Sequence, residues 1–375
     1  MKKLVIVSQA PLTPQIKRNT YIEEFIVAKF DVEFWDVSQI LHQGLKLVDE
    51  LNEDYLIRIN NLVDLKKLIV RNNNKNTIYI FDFDPNWKRL EFFKLFSQNN
   101  CCTIRIDMYA NTGVRLSFFQ KFMKLFSDRG FILVKTKISN SLCRLYSSYK
   151  GIKPFDYFLT SSSLVYSDKK INHPDYEEFR FNKSCKVLDY NYILFIDTYF
   201  GYHPDFIYFN GYKKMPNVDN YFNVLNNYFQ FLERKYKMPV VIALHPKSDY
   251  KNDEFKGRLC IKYKTKDLMC FADKVILQLC NTTSWLTLAN KEVVFITTND
   301  YDKVGSQKKD LRFVAKDLDK KVYNIENMNY EEIFFEKIDN KLREKYIYSY
   351  LTSKDIENKK NIDILSEFFD KIIIK

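Results

Sequence analysis

Residues Pro239–Tyr250 read PVVIALHPKSDY. Val240, Val241, Ile242, Ala243 and Leu244 form an unbroken apolar run that stops at His245-Pro246. A short apolar run closed by a proline turn is the pattern of a strand buried on both faces, as in a parallel sheet covered by helices. Proline fixes its own φ and donates no N–H, so the strand ends there. A polar side chain at that end lies outside the carboxyl edge of the sheet, where open α/β sheets bind their ligands.

Working outward, Tyr192–Asp197 (YILFID) is a second such run, followed by a loop and a helical pattern over about Tyr221–Lys237. Downstream come a short strand around Leu259–Tyr263, a helix over Lys266–Phe271 and the strand KVILQLC (Lys274–Cys280). A helix over Thr282–Ala289 and the strand EVVFITT (Glu292–Thr298) complete this series. The N-terminal half alternates in the same way. Lys3–Ser8, Asp31–Val37, Thr77–Asp82, Thr103–Asp107 and Phe155–Thr160 read as strands, and Tyr21–Phe30, Ile59–Val70, Trp87–Phe96 and Arg115–Phe126 as helices. Alternating strands and helices build βαβ units and mostly parallel sheets. The predicted fold class is therefore α/β, with two doubly wound Rossmann-like domains facing a cleft. The predicted boundaries are 1–187 and 188–350, with 351–375 as a C-terminal segment whose amphipathic helix, Ile356–Ile373, packs on the domains.

Composition supports two cores. The chain has 375 residues, 46% hydrophobic and 16% aromatic, which excludes extensive disorder. Only 8 Gly and 9 Pro exclude collagen-like and linker-like classes. Lys+Arg 59 against Asp+Glu 47 gives a net charge of +12, which draws anionic partners. The chain is also crowded with Lys, Asn, Ile, Tyr and Phe, the mixture an AT-rich coding sequence imposes, so part of that charge is compositional. The 7 cysteines form no CxxC pair and none stands at zinc-ligand spacing from a His, which points to reduced thiols in a cytosolic protein. The opening MKKLVIVSQAPLTP has an apolar part too brief for a signal peptide and reads as a first strand. No run of about 18 apolar residues is present to span a membrane. The GxGxxG fingerprint and the P-loop are both absent, which argues against NAD(P) enzymes and P-loop ATPases.

Two strand ends carry the chemistry. After PVVIAL, His245 is followed by Lys247 and Ser248, a cation and a hydroxyl suited to phosphate oxygens. After KVILQLC, Asn281-Thr282-Thr283-Ser284 opens a helix. Such a turn caps free N–H groups, and its partial positive charge suits a phosphate. Three of the four histidines precede proline: His173, His203 and His245. His173-Pro174-Asp175 reads as a surface turn, whereas His203, next to Asp205, is placed to contact a substrate. His42 reads as a bystander and Trp285 as core.

Together, His245-Pro246 and the later Thr283-Ser284 (or Thr282-Thr283) pair resemble the GT-B glycosyltransferases of the bacterial sialyltransferase-like type. Those enzymes share an HP motif and a Ser/Thr motif and use CMP-activated nonulosonic acids. The resemblance covers roughly Tyr192–Asp300 by the order of its motifs and the N-terminal half by fold pattern. It implies a GT-B fold with residues 1–187 on the acceptor side and 188–350 binding the nucleotide sugar. His245 then contacts the nucleotide phosphate and gives it a proton as CMP leaves, and Thr282, Thr283 and Ser284 bind the same phosphate. Lys247 and Ser248 assist, the Tyr263-Lys264-Thr265 loop holds base and ribose, and His203 and Asp205 contact the donor carboxylate or the acceptor.

An inverting transfer also needs a base for the acceptor hydroxyl. The acidic pair followed by Gly that those families carry is missing here, which leaves Asp107, ending TIRID, and Asp197, ending YILFID, with Asp107 slightly preferred. The resemblance implies no metal or other cofactor, and the FDFD stretch at Asp82–Asp84 reads as a strand end. The expected partners are a CMP-sugar and a glycan or glycolipid acceptor of the bacterial surface. No nucleic acid is expected, and the location is the cytoplasm with peripheral contact to the inner membrane. Two alternatives stand beside it. One keeps the fold and changes the donor to a UDP- or GDP-sugar, and the other is a non-catalytic basic protein binding RNA or membrane, supported by stretches such as Lys121–Phe126.

Overall fold

The computed structural model of the chain describes residues 2–72, 74–107, 130–153, 155–208, 218–304 and 307–372. The chain divides into two units. The first comprises Met1–Ser161, Val165–Ile171 and Asn361–Lys375; the second comprises Ser162–Leu164 and Asn172–Lys360.

The N-terminal unit holds a seven-stranded sheet. Its strands are β1 (Lys3–Ser8), β2 (Asp31–Asp36), β3 (Leu56–Arg58), β4 (Thr77–Phe81), β5 (Cys102–Asp107), β6 (Tyr157–Thr160) and β7 (Lys169–Lys170). They lie in the order β3-β2-β1-β4-β5-β6-β7. The C-terminal unit holds β8 (Ile193–Ile196), β9 (Val240–Leu244), β10 (Cys260–Lys262), β11 (Lys274–Leu277), β12 (Glu292–Thr297) and β13 (Val322–Asn324). Their order is β10-β9-β8-β11-β12-β13. Counted within each unit, both sheets run 3-2-1-4-5-6, with a seventh strand added at the end of the first, and this doubly wound order reverses between its first and fourth strands. All strand pairs among the described residues are parallel.

The apolar runs explain the sheets. Every residue of β4 and of β8 is buried, as strands covered on both faces require. In the N-terminal unit, Phe81, Phe83, Phe92, Phe93 and Phe96 fill the space under one sheet face, Phe81 to Phe96 at 5.1 Å between ring centroids and Phe92 to Phe93 at 5.4 Å. Each such ring contributes about 2–3 kcal/mol by leaving water.

Three differences from the sequence expectations have physical causes. The strands β3, β7 and β13 were not anticipated: they are two or three residues long, with no fully buried position, so they carry no apolar run. The expected division at 187/188 falls instead between 161 and 172. The helix Pro174–Phe181 belongs to the second unit because Glu178 pairs with Lys266 (3.0 Å) and Asp175 accepts from Ser284. The segment 351–375 is shared, and only its end, the helix Asn361–Lys371, returns to the first unit. There Phe369 stacks on Phe25 at 5.8 Å and the Asn361 amide donates to the Tyr21 hydroxyl at 2.7 Å. A helix over Gly130–Tyr149 was also not foreseen. The expected helix Arg115–Phe126, and with it Lys121–Phe126, lies outside the described residues. No helix among the described residues is long and apolar enough to cross a membrane.

Candidate functional site

The carboxyl ends of β8, β9, β10 and β11 bring most of the predicted residues together. Two His-Pro turns are the centre. In His245-Pro246-Lys247, the Lys247 N–H donates to His245 Nδ1 at 3.1 Å. In His203-Pro204-Asp205, the Asp205 N–H donates to His203 Nδ1 at 3.1 Å. Proline sets φ near −65° at the middle position, so the next N–H turns back onto the imidazole. His173-Pro174-Asp175 repeats the device, Asp175 N–H to Nδ1 at 3.1 Å, but it is a buried helix cap rather than the surface turn expected.

These bonds fix the chemistry of the rings. An Nδ1 that accepts a main-chain N–H carries no proton, so a neutral ring holds its proton on Nε2. Burial pushes the His203 pKa down to about 3, with the Lys247 charge adding to it. Burial, then His203 and Lys247, holds His245 well below the usual histidine range. Both rings are therefore neutral Nε2–H donors at pH 7. Their Nε2 atoms stand 3.3 Å apart, with ring planes at 69°. Lys247 Nζ crosses from one turn to the other and pairs with Asp205 at 2.8 Å. The Tyr199 ring lies parallel to His245, 10° between planes at 6.4 Å.

Asp197 locks this arrangement from beneath. Its Oδ1 accepts from the Tyr199 N–H and the Tyr250 hydroxyl, each at 2.8 Å, and its Oδ2 from the His245 N–H at 3.1 Å. The first bond closes an Asx turn in which Tyr199 takes a left-handed φ of 51°. Asp197 is 3% exposed, and burial pushes its pKa up to about 6 against those three hydrogen bonds. All three bonds are donated to it, and both of its oxygens are engaged.

The β10 end folds onto the β9 turn. Lys262 Nζ donates to the Ser248 carbonyl at 2.8 Å, and the Tyr263 hydroxyl to the Pro246 carbonyl at 3.4 Å. Tyr263 adopts a left-handed φ of 63°, Lys264 precedes and Thr265 opens the helix Thr265–Phe271. Ser248 is buried, and its hydroxyl has no hydrogen-bond partner. At the β11 end, Thr283 Oγ1 donates to the Cys280 carbonyl at 3.1 Å, and Ser284 Oγ reaches Asp175 and the Asn281 carbonyl. Both hydroxyls are buried and engaged inside the protein. Asn281 and Thr282 are the members of this turn that face outward.

The sequence reading missed Tyr199 and Tyr250 as site residues, along with Gln278. Gln278 follows β11, is fully buried, and accepts from the Tyr221 hydroxyl at 2.6 Å, while its Nε2 has no partner. A polar residue directly after an apolar strand was the signal available. Asp107 closes β5 in the N-terminal unit, beside Thr160 of β6.

That unit has its own polar cluster at the β1/β4 reversal. Arg89 donates to Gln9 at 2.6 Å, and His42 Nε2 lies 3.3 Å from the same oxygen. Asp82 has one enclosed oxygen, Oδ1, without a hydrogen-bond partner; burial raises its pKa, opposed by Arg105 and Arg89. Among the described residues no group of His, Cys, Asp and Glu side chains is arranged to hold a metal ion.

No family model matches the chain, and no curated protein sequence matches it. Solved structures do. The UDP-GlcNAc 2-epimerase of Methanocaldococcus jannaschii is similar over 99% of both chains, with 11% identity and a TM-score of 0.50. MurG of Acinetobacter baumannii is similar over 99% of this chain and 100% of that one, with 10% identity and a TM-score of 0.44. A variant of the wall teichoic acid polymerase TagF is similar over 99% of this chain and 88% of that one, with 10% identity and a TM-score of 0.45. At such identities the likeness is one of fold. The fold is α/β with two doubly wound parallel-sheet domains, of the GT-B class.

Proposed function

We propose that the chain is a GT-B glycosyltransferase that holds the phosphate of a nucleotide-activated sugar at the carboxyl edge of its C-terminal sheet. The observation that carries this is His245, fixed as a neutral Nε2–H donor at the end of β9, beside the β8/β11 reversal. As the sugar leaves, negative charge grows on the phosphate, and a donor already in place stabilises that state most. A neutral imidazole is too weak an acid to hand over its proton, so His245 acts as an electrophilic hydrogen-bond donor rather than as the general acid expected from sequence. Lys247 and Lys262 add positive charge, and Thr282 and Asn281 supply contacts that the engaged hydroxyls of Thr283 and Ser284 do not.

In its finer form the proposal is an inverting, metal-independent transfer of a nonulosonic acid from a CMP-sugar to a bacterial surface glycan or glycolipid. The base assigned is Asp107, since the oxygens of Asp197 are already taken by Tyr199, Tyr250 and His245. Asp197 positions the His245 turn. Attraction of a net +12 chain to anionic lipid fits a lipid-linked acceptor.

A second reading keeps the fold and takes a UDP- or GDP-sugar. It calls for a carboxylate near the ribose late in the second domain. Glu292 does not serve, because it starts β12 and pairs with Lys274 at the opposite edge. Asp300 and Glu326 follow β12 and β13, and both accept from the Asn220 amide, at 3.0 and 2.8 Å. Thermal shifts with CMP, UDP and GDP separate the readings. Selective stabilisation by CMP, followed by transfer from a CMP-nonulosonate, is the expected result. Selective stabilisation by UDP or GDP moves the assignment to the second reading. Binding of RNA with a steep salt dependence, and of no nucleotide, replaces both with a basic binding protein.

A further inference from the structure

The meeting of the two His-Pro turns leaves an unsolved contact. His203 Nε2 and His245 Nε2 are 3.3 Å apart, a hydrogen-bond distance. One of two such nitrogens has to accept, yet each ring already spends its Nδ1 lone pair on a main-chain N–H, from Asp205 and Lys247. Each neutral ring must then hold its proton on Nε2, and two N–H groups meet with no acceptor between them. Charging either ring is no remedy, because a proton on Nδ1 would collide with the N–H that points at it. Switching a tautomer breaks the same bond. The contact is relieved by an oxygen that accepts from both rings at once.

We propose that His203 and His245 form a two-imidazole clamp for one oxygen of a phosphoryl group, with His203 as a second binding residue that faces His245. The ligand class is a phosphate ester or free phosphate. A phosphoryl oxygen carries enough lone pairs and partial charge to take both N–H groups. Lys247 stands at the rim as a point charge, shared with Asp205. Because both donors are neutral, the clamp adds direction and leaves the charge balance to the lysines. This deepens the proposed nucleotide-sugar site and rests on that reading only for the identity of the ester; the clamp itself needs only phosphate.

Side-chain replacements at His203 separate clamp from scaffold. A glutamine amide nitrogen reaches about as far as Nε2, whereas an asparagine reaches only to the Nδ1 position. Calorimetry on the full chain is run with inorganic phosphate, CMP and UDP. His203→Ala is expected to weaken the phosphate-bearing ligands by about tenfold or more, the worth of one good hydrogen bond. His203→Gln is expected to recover most of that affinity and His203→Asn none of it. Nitrogen-15 spectra of the wild-type histidines give a measure that needs no variant: both rings are expected to be Nε2-protonated, and both Nε2–H signals should move on adding phosphate.

Four results decide it. Unchanged affinity in His203→Ala with nucleotide still bound overturns the clamp and leaves the nucleotide reading standing. Dependence of inorganic phosphate binding on His203, with no nucleotide bound, keeps the clamp and removes the nucleotide reading. An Nδ1–H tautomer at either ring overturns the clamp even if the variants fail to fold. Binding of none of the three probes by the wild type overturns both.

Discussion

At the carboxyl edge of the N-terminal sheet, the first strand is followed by Gln9 and the fourth by Asp82; at the same edge of the C-terminal sheet, the first is followed by Asp197 and the fourth by Gln278. The same two residue types stand at the same reversal point with their places exchanged. Their surroundings differ more than their types. Gln9 and Asp82 are half-buried, with Arg89 reaching Gln9 and its charge, like that of Arg105, acting on Asp82. Asp197 and Gln278 are buried, tied to tyrosine hydroxyls, and serve as the floor beneath two neutral imidazoles. One strand order thus supports an edge organised around Arg89 in one unit and an edge of two tautomer-locked imidazoles in the other. Topology chooses where polar groups gather, and the residues after each strand choose what they can do.

The comparison breaks most visibly at His245. His245→Ala should lower kcat for transfer by about 10²–10³, the cost of removing one preorganised donor to a developing oxyanion. Full activity in a transfer assay would leave the C-terminal edge without its assigned chemistry. Next comes the floor. Asp197→Ala strands two N–H groups and the Tyr250 hydroxyl, and should cost at least about 3 kcal/mol in urea denaturation, since each orphaned buried group costs about 1–3 kcal/mol.

The same carboxylate sets a pH dependence. In the folded state it keeps its proton up to about 6, and in the unfolded chain it loses it near the ordinary aspartate value of about 3.9. Between these values the folded state binds the extra proton, so the contribution of this one carboxylate to stability is largest below about pH 4 and falls as pH rises through 6. Asp197→Asn should flatten that slope, measured as midpoint denaturant against pH.

Smaller effects sharpen the contrast. Ser284→Ala should cost about 1–2 kcal/mol by leaving Asp175 short of a donor, while nucleotide affinity stays within about twofold. A tenfold loss of affinity would instead restore the hydroxyl to the phosphate. Arg89→Lys keeps the charge but loses the fork that holds Gln9, so stability should change by less than about 1 kcal/mol. Nucleotide affinity, read by calorimetry, is expected to stay within about twofold, because the contacts of Arg89 are with Gln9 and the carboxylates of its own unit.

Much of this was legible along the chain. Unbroken apolar runs marked the core strands because strands of a covered parallel sheet are apolar on both faces. His245-Pro246 was legible because a polar residue after such a run has to lie at the sheet's edge. The edge strands β3, β7 and β13 were not, since none has a fully buried position and none carries an apolar run. Thr283 and Ser284 looked like a phosphate cap, yet Asp175, 109 residues earlier than Ser284, claims one of them. His173 passed for a surface turn because nothing near it in sequence shows that it is buried.

By itself the sequence determined the strand ends and the local His-Pro turns, because apolar burial, proline geometry and an N–H two residues on are all short-range. Only the tertiary structure decided that β9 lies beside β8. That order brings His203 and His245, 42 residues apart, to within 3.3 Å, and makes two separate turns into one site.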